Sequence, residues 1–509
     1  TKYNKGQQYP VYLRRKSLND PKEKPEVIFD INQLAKGQSY YEASYEISPD
    51  HRYAALLFDV AGRRFHDIKI KDLRTGKFLK HRIKNVTDDM VWANDGQTFF
   101  YVKQDPNTLR AHQVYRFDLQ SGSSNLIFEE PQETFEVYLS ESLARKHLFI
   151  NSASTLSSET LTLNADEPTL PPQVLILREK DHEYTVSEDD SNFYILSNKG
   201  AKNFQLLRMP FSERSRLKLE VLIAHRQETF IDNFVVLKNH IGLASRENGL
   251  TQIEVYDLQT KQRNKITFED TAYSVELGEN FEFNSSQLRY HYESLRSPPS
   301  IYDFDLKIQK SVLLKTKPVL NYDANDYISM RVYAPARDGR RIPISLYMKK
   351  GTTLNSTAPI LLYGYGAYGS NSDPWFSSTN ASLVDRGFIY AIAHVRGGGE
   401  MGRYWTEEGR TLNKKNTFFD FIDCTEYLIK EKYAAPDKIF ATGASAGGLL
   451  MGALANMRPD LYRGIIADVP FVDVLTTMLD SSIPLTTGEY DEWGNPNEKK
   501  YFDYMKTYS

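Results

Sequence analysis

The sequence predicts a seven-bladed β-propeller followed by an α/β domain built on a mostly parallel sheet. Three observations carry this. A degenerate repeat recurs every 46 to 48 residues through the first part of the chain. The pattern of apolar residues changes near residue 320. After the change, a glycine-crowded serine sits between a strand-like and a helix-like run.

Up to about residue 318 the chain reads as short strands broken by polar turns. Runs such as YAALLFDV (53–60), TFFYVK (98–103), HLFINSAS (147–154), FYILSN (193–198) and HIGLASR (240–246) are each about one strand long. Turn formers such as SPD (48–50), ANDG (93–96) and LQSGS (119–123) separate them. The phrases DLRTGKFL at Asp72, DLQSGSSNLIF at Asp118, DLQTKQRNKI at Asp257 and DLKIQKSVLL at Asp305 mark the repeat, with divergent versions at Asn164 and Pro210. An apolar triplet closing each unit runs from Val27–Phe29 to Val312–Leu314 and brings the count to seven. A period in the forties with about four strands per unit is the pattern of a propeller, whose blades need neighbours to bury their faces. An irregular β-sandwich does not explain the fixed step.

Beyond residue 320, RVYAPARDGRRIPISLYMK (331–349) reads as a hairpin about Asp338-Gly339. The runs PILLYGYG (359–366), FIYAIAHV (388–395), KIFATG (438–443) and GIIADVP (464–470) read as strands, and NTFFDFIDCTEYLIKEKY (416–433) as a helix. Continuous apolar strands separated by helices indicate a parallel sheet covered on both faces.

Composition narrows the function classes. At 509 residues and a formal net charge of -3, the chain has neither a basic run nor the balance expected for nucleic-acid or anionic-membrane binding. It has no apolar stretch of spanning length. The single cysteine, Cys424, cannot close an internal disulfide, which favours a reducing compartment such as the cytoplasm. The chain starts at Thr1 rather than Met, so a leader removed or unrecorded leaves a periplasmic location open beside the favoured cytoplasm.

The stretch KIFATGASAGGLLMGALANM (438–457) holds Ser445 in a G-x-S-x-G pattern with one more glycine. Strand before and helix after are the context of a nucleophile elbow, where the hydroxyl stands at a helix N-terminus beside free backbone N–H groups. A second glycine stretch, YGYGAYG (363–369), contains G-x-G-x-x-G, but SNSDPWFSS follows instead of a helix, which argues against nucleotide binding. A tyrosine hydroxyl there suits an oxyanion instead. The ten histidines show no metal-ligand spacing, so neither a metal nor another cofactor is expected. His394, on a strand, reads as a core residue.

The segments LLYGYGAYGS, HVRGGGEMGRYW, GASAGGLLMGALANMRPDLY and VPFVDVLTTMLDSSIPLTTGEYDEWGNP together resemble the prolyl oligopeptidase family of serine peptidases, and within it the oligopeptidase B branch. The resemblance implies a seven-bladed propeller (1–318) capping an α/β-hydrolase domain (319–509), with Ser445 as nucleophile. It implies that the Tyr365 hydroxyl and the Ala446 backbone N–H form the oxyanion hole. Glu489 and Asp491 match the acidic pair that receives a basic residue on the acyl side of the cleaved bond. Two carboxylates at i and i+2 on an extended segment would face one way and suit a guanidinium or ammonium. Asp373 matches the first of two aspartates near the next subsite, and Trp375 stands where the second would be. The expected substrates are therefore short peptides with basic residues, cleaved after Arg or Lys.

In hydrolases of this fold the partners of the serine follow it in the order Asp, His. His394 is the last histidine and precedes Ser445. The resemblance places both partners outside these residues, so the hydrolase domain is expected to be incomplete, the chain cut at both ends, and the fragment inactive alone. The alternatives are a post-proline oligopeptidase, which the acidic pair disfavours, and a noncatalytic propeller scaffold with a relict elbow.

Overall fold

The computed structural model describes residues 1–15 and 22–509. The chain divides into two compact units, Thr1–Asp181 with Ser482–Gly488, and His182–Ser481 with Glu489–Ser509. The change of pattern near residue 320 is thus a change of secondary structure inside the second unit.

The first unit holds a two-stranded ribbon, Val11–Arg14 with Glu26–Asp30, and three four-stranded antiparallel sheets. Three more such sheets open the second unit. In all six the strands follow one another in chain order, the meander of a propeller blade. The ribbon carries Val27–Phe29, so seven sheets match the seven repeats, the first with two described strands where the repeat predicts four.

The runs singled out in the sequence are second strands. Tyr53–Asp59 is buried at every position, and Thr98–Val102, Leu148–Ser152 and Phe193–Ser197 are likewise buried throughout. The repeated Asp or Asn is the last residue of the third strand. Its carboxylate or amide oxygen accepts backbone N–H groups two or three residues on: Arg74 at 2.8 Å from Asp72, Ser121 at 2.6 Å from Asp118, Asp166 at 2.9 Å from Asn164, Gln259 at 2.8 Å from Asp257 and Lys307 at 2.9 Å from Asp305. These Asx-turns reverse the chain into the fourth strand. Pro210 has no such acceptor, and a 3-10 turn, Phe211–Arg216, replaces the Asx-turn there.

The second unit continues with a six-stranded sheet: β1 (Tyr327–Pro335), β2 (Arg341–Lys349), β3 (Ile360–Tyr363), β4 (Ile389–Ala393), β5 (Ile439–Ala444) and β6 (Gly464–Asp468). Their order is β1-β2-β4-β3-β5-β6, antiparallel up to β4 and parallel from β4 to β6. Helices α1 (Ser378–Asp385), α2 (Arg403–Glu407), α3 (Lys415–Lys430), α4 (Ala446–Met457), α5 (Val474–Leu479), α6 (Tyr490–Trp493) and α7 (Lys499–Met505) complete it.

Alternation along the strands separates two faces. Leu346, Ala391 and Ala393 join Phe418 and Phe421 of α3 and Leu450 and Leu454 of α4 in one core. Tyr347, Tyr390 and Ile392 point the other way, onto Ala381 and Val384 of α1. Because both faces are covered, the strands are continuously apolar, as the sequence pattern indicated. No helix among the described residues is long and apolar enough to cross a membrane.

Candidate active site

Ser445 follows β5 directly and caps α4 with φ 55° and ψ −117°. A left-handed φ at a non-glycine residue is strained and persists only where its surroundings hold it. Here the Ser445 N–H donates to the Asp468 carbonyl at 3.0 Å, and its own carbonyl accepts from Gly448 at 2.8 Å and Phe471 at 3.0 Å. The neighbouring glycines are there for want of room. A Cβ on Gly443 would lie 2.5 Å from the Gly447 carbonyl oxygen, one on Gly447 2.6 Å from the Gly364 oxygen, and one on Gly448 2.5 Å from Pro470 Cα. The tight turn leaves Ser445 exposed and Ala446 buried.

Tyr365 lies just past β3, with its phenol beside the Ser445 side chain. Burial holds this phenol above its ordinary pKa, the Ser445 hydroxyl opposes that, and the charges of Glu489 and Glu492 add to it. The turn after Tyr365 is packed from below. Gly366 has φ 75°, and a Cβ there would meet Thr417 Cγ2 at 2.4 Å. The Lys414 Nζ donates to the Gly366 carbonyl at 2.5 Å. No helix starts in residues 364–376, in keeping with the rejection of a dinucleotide fold.

The acidic segment differs from its expected shape. Thr486–Glu489 is a 3-10 turn and Tyr490–Trp493 is helical, so the argument from an extended strand does not hold. At about 100° per residue, side chains at i and i+2 of a helix point to nearly opposite sides. Glu489 accepts the Tyr368 hydroxyl at 2.5 Å and the Trp493 indole N–H at 2.9 Å. Burial and this carboxylate together push the Tyr368 phenol far up. Asp491 enters through its backbone carbonyl, which accepts from Arg410 at 3.3 Å. The Ser445 side chain and the Glu489 charge thus both act on the Tyr365 phenol, while Asp491 follows Glu489 by two residues inside the helical turn.

Asp373 is already engaged. Arg246, from the sheet strand His240–Glu247, donates to both its oxygens at 2.8 Å, and the two residues are only 6% and 7% exposed. Breaking such a buried pair from one side typically costs about 3–5 kcal/mol. His394 is fully buried, 2.8 Å from Ser345 Oγ and 3.2 Å from an Arg331 nitrogen, with Glu400 at 3.5 Å. Burial and Arg331 push its pKa down. It is a core residue, as read from the sequence.

Three residues escaped sequence reasoning. Arg246 lies in a different half of the sequence from its partner. Glu492 is the third acid of GEYDEWG, and Lys414 precedes the amphipathic α3 as one of two adjacent lysines. Both are 1% exposed, with Nζ and Oε1 3.8 Å apart. Burial pushes Glu492 up and Lys414 down to about 8, each against the pull of the other.

Comparison with known proteins agrees with this geometry. The model of the prolyl oligopeptidase N-terminal β-propeller domain matches residues 1–317, and that of the prolyl oligopeptidase family residues 374–509. Dipeptidyl aminopeptidase BI of Pseudoxanthomonas mexicana is 42% identical over 99% of this chain and 72% of its own length. Protease 2 of Moraxella lacunata is 38% identical over 100% of this chain and 74% of its own. The structure of oligopeptidase B from Leishmania major superposes with a TM-score of 0.93 at 36% identity, covering 99% of this chain and 73% of that one. A propeller segment, a parallel sheet with its serine elbow and these similarities lead to one conclusion: the chain belongs to the prolyl oligopeptidase family of serine peptidases.

Proposed function

We propose that the protein is an oligopeptidase that cleaves short peptides after Arg or Lys through an acyl-enzyme on Ser445. The observation that carries this is the neighbourhood of the Tyr365 phenol, whose pKa the Ser445 side chain lowers and the Glu489 charge raises. In this reading the Ser445 oxygen attacks the scissile carbonyl, and a base takes the serine proton. The oxyanion receives the Tyr365 hydroxyl and the Ala446 N–H. The base then protonates the departing amine, and water releases the acyl group.

Glu489 would draw the basic side chain of the acyl residue, with Asp491 in a secondary role because the helical turn separates the two. Asp373 is compensated by Arg246, which supports selection of one basic residue rather than two in succession. The base is not among these histidines: none follows Ser445, and the His394 ring is committed to the core.

The test is kcat/KM for arginyl, lysyl and neutral reporter peptides, measured on the full-length protein and on Ser445→Ala, Glu489→Gln and Asp491→Asn. Ser445→Ala should remove nearly all turnover. Glu489→Gln should cost arginyl substrates far more than neutral ones, on the scale of about 2–5 kcal/mol for a desolvated charge pair, and Asp491→Asn less. Equal losses for charged and neutral substrates would place both carboxylates outside the pocket. The relative named dipeptidyl aminopeptidase supports a second reading, release of dipeptides from a free amino end. Comparing blocked and free N-termini separates the two.

A further inference from the structure

Lys414 is the one fully buried lysine among the described residues. Its ammonium touches two parts of the site that are far apart in the chain. On one side it donates to the carbonyl of Gly366, the residue after Tyr365, at 2.5 Å. On the other it stands 3.8 Å from Glu492 and 4.9 Å from the centre of the Trp493 ring, whose indole N–H donates to Glu489 at 2.9 Å. Its backbone is fixed at the start of α3, where Thr417 Oγ1 donates to the Arg396 carbonyl at 2.7 Å. An ammonium withdrawn from water is a costly spacer, and an apolar residue of similar size would fill such a site as well or better. What the charge adds is a hold on one carbonyl and one carboxylate at the same time.

We propose that Lys414 is a positioning residue for acyl transfer, clamping the turn after Tyr365 so that the phenol stays on Ser445 and tying that turn to the helix beside Glu489. The proposal rests on the reading of Tyr365 as an oxyanion donor. Burial lowers Lys414 to about 8, so the clamp is charged at neutral pH and weakens as pH rises through that value. Glu492 is the ionisable group that acts on it, and around that carboxylate lie Glu489, Arg410, Tyr368 and Tyr508; the phenols of Tyr365, Tyr368 and Tyr508 are all raised above their ordinary range. None of these phenols titrates near the lysine. Loss of the ammonium should therefore appear as a fall in kcat on the alkaline side.

The experiment uses the full-length protein, with arginyl and neutral reporter peptides, from neutral to alkaline pH. Lys414→Met should lower kcat for both substrates by about 10- to 100-fold, the usual effect of a slightly misplaced catalytic group, with little change in KM. It should also remove the alkaline fall. In a Tyr365→Phe background the same change should cost less than about threefold, because the two act through one phenol hydroxyl. Glu492→Gln should shift the alkaline fall to lower pH, since the carboxylate raises the lysine pKa. If Lys414→Met unfolds the protein, judged by circular dichroism and the melting temperature, that shift carries the test. Multiplicative losses in the double variant, or an alkaline fall that neither variant moves, would overturn the proposal. An unimpaired Tyr365→Phe would remove the oxyanion reading, and the clamp with it.

Discussion

Gly447 and Gly452 sit five residues apart on α4, and the structure gives them opposite roles. A Cβ on Gly447 would lie 2.6 Å from the Gly364 carbonyl oxygen, whereas one on Gly452 would meet only Val472 Cγ1 at 3.3 Å. Gly447→Ala must push α4 off the turn that carries Tyr365. It should lower both the melting temperature and kcat/KM, the latter by about tenfold or more, because small displacements of catalytic groups are costly. Gly452→Ala asks only for a small shift of one methyl and removes a glycine from a helix interior, so stability should hold or rise by up to about 1 kcal/mol. Thermal unfolding of the two variants side by side checks the contrast, and equal losses would contradict it. Tyr365→Phe should cost about 10²–10³ in kcat, the scale of one oxyanion donor, with the fold unchanged. At this scale the sequence was informative where chemistry imposes local spacing. Ser445 and its glycines are readable because one sharp turn dictates all of them. Lys414 and Arg246 are not, because each is defined by a partner brought close only by the fold.

Among the elements, the blade repeat is legible because the same turn chemistry recurs at the same place in each sheet. Asp257 accepts from Gln259 and Thr260 at 2.8 and 2.9 Å, and Lys261, with φ 61°, closes the turn by donating to its carbonyl at 2.9 Å. Asp257→Ala should therefore cost about 1 kcal/mol, read as a lowered urea midpoint without loss of the sheet. Replacing Lys261 by Gly should recover part of it by relieving the positive φ. An unchanged midpoint in Asp257→Ala would show that the turn is held by its strands alone. The acidic segment was misread at this same scale. TTGEYDEW offers only eight residues, from Thr486 to Trp493, too few to display a helical period, so alternation looked as plausible as the short turns observed. The strands and helices of the second half were long enough for their periods to show, and their order followed.

At the scale of the whole molecule, the compact units divide inside the run of blade-like sheets, at Asp181, and not where the sequence pattern changes. Secondary-structure grammar reports which faces an element buries. It does not report which elements pack most densely together, and that is why the division was invisible in the sequence. The sheet of the second unit ends on β6, which among the described residues pairs only with β5 and exposes Ile466 and, just beyond it, Val469 at 55% and 76%. An edge strand with exposed apolar side chains is a template for association. Residues 1–509 expressed alone should self-associate with rising concentration in light scattering, and Ile466→Lys should reduce this. Monomeric behaviour at every concentration would rule the edge out as an adhesive surface.

The same polypeptide gives the sharpest test of the catalytic reading. A serine hydroxyl is a poor nucleophile at neutral pH unless a base takes its proton. Tyr365 cannot serve, because burial holds its phenol above the ordinary value and it remains a donor. Lys414, down at about 8, is committed to the Gly366 carbonyl, while His394 lies in the sheet with its ring against Ser345 and Arg331. In the proposed reading what remains is an oxyanion hole and a binding site, which on their own leave roughly 10³–10⁴ over the uncatalysed rate, far below an intact triad. Residues 1–509 should therefore show no turnover of an arginyl reporter unless a base is supplied. Addition of imidazole gives an internal control, since a small external base reaching the exposed Ser445 should restore a detectable fraction if the elbow and hole are formed. Ready turnover without imidazole would mean that a base exists among these residues, and the assignment of roles around Ser445 would have to be rebuilt from that group.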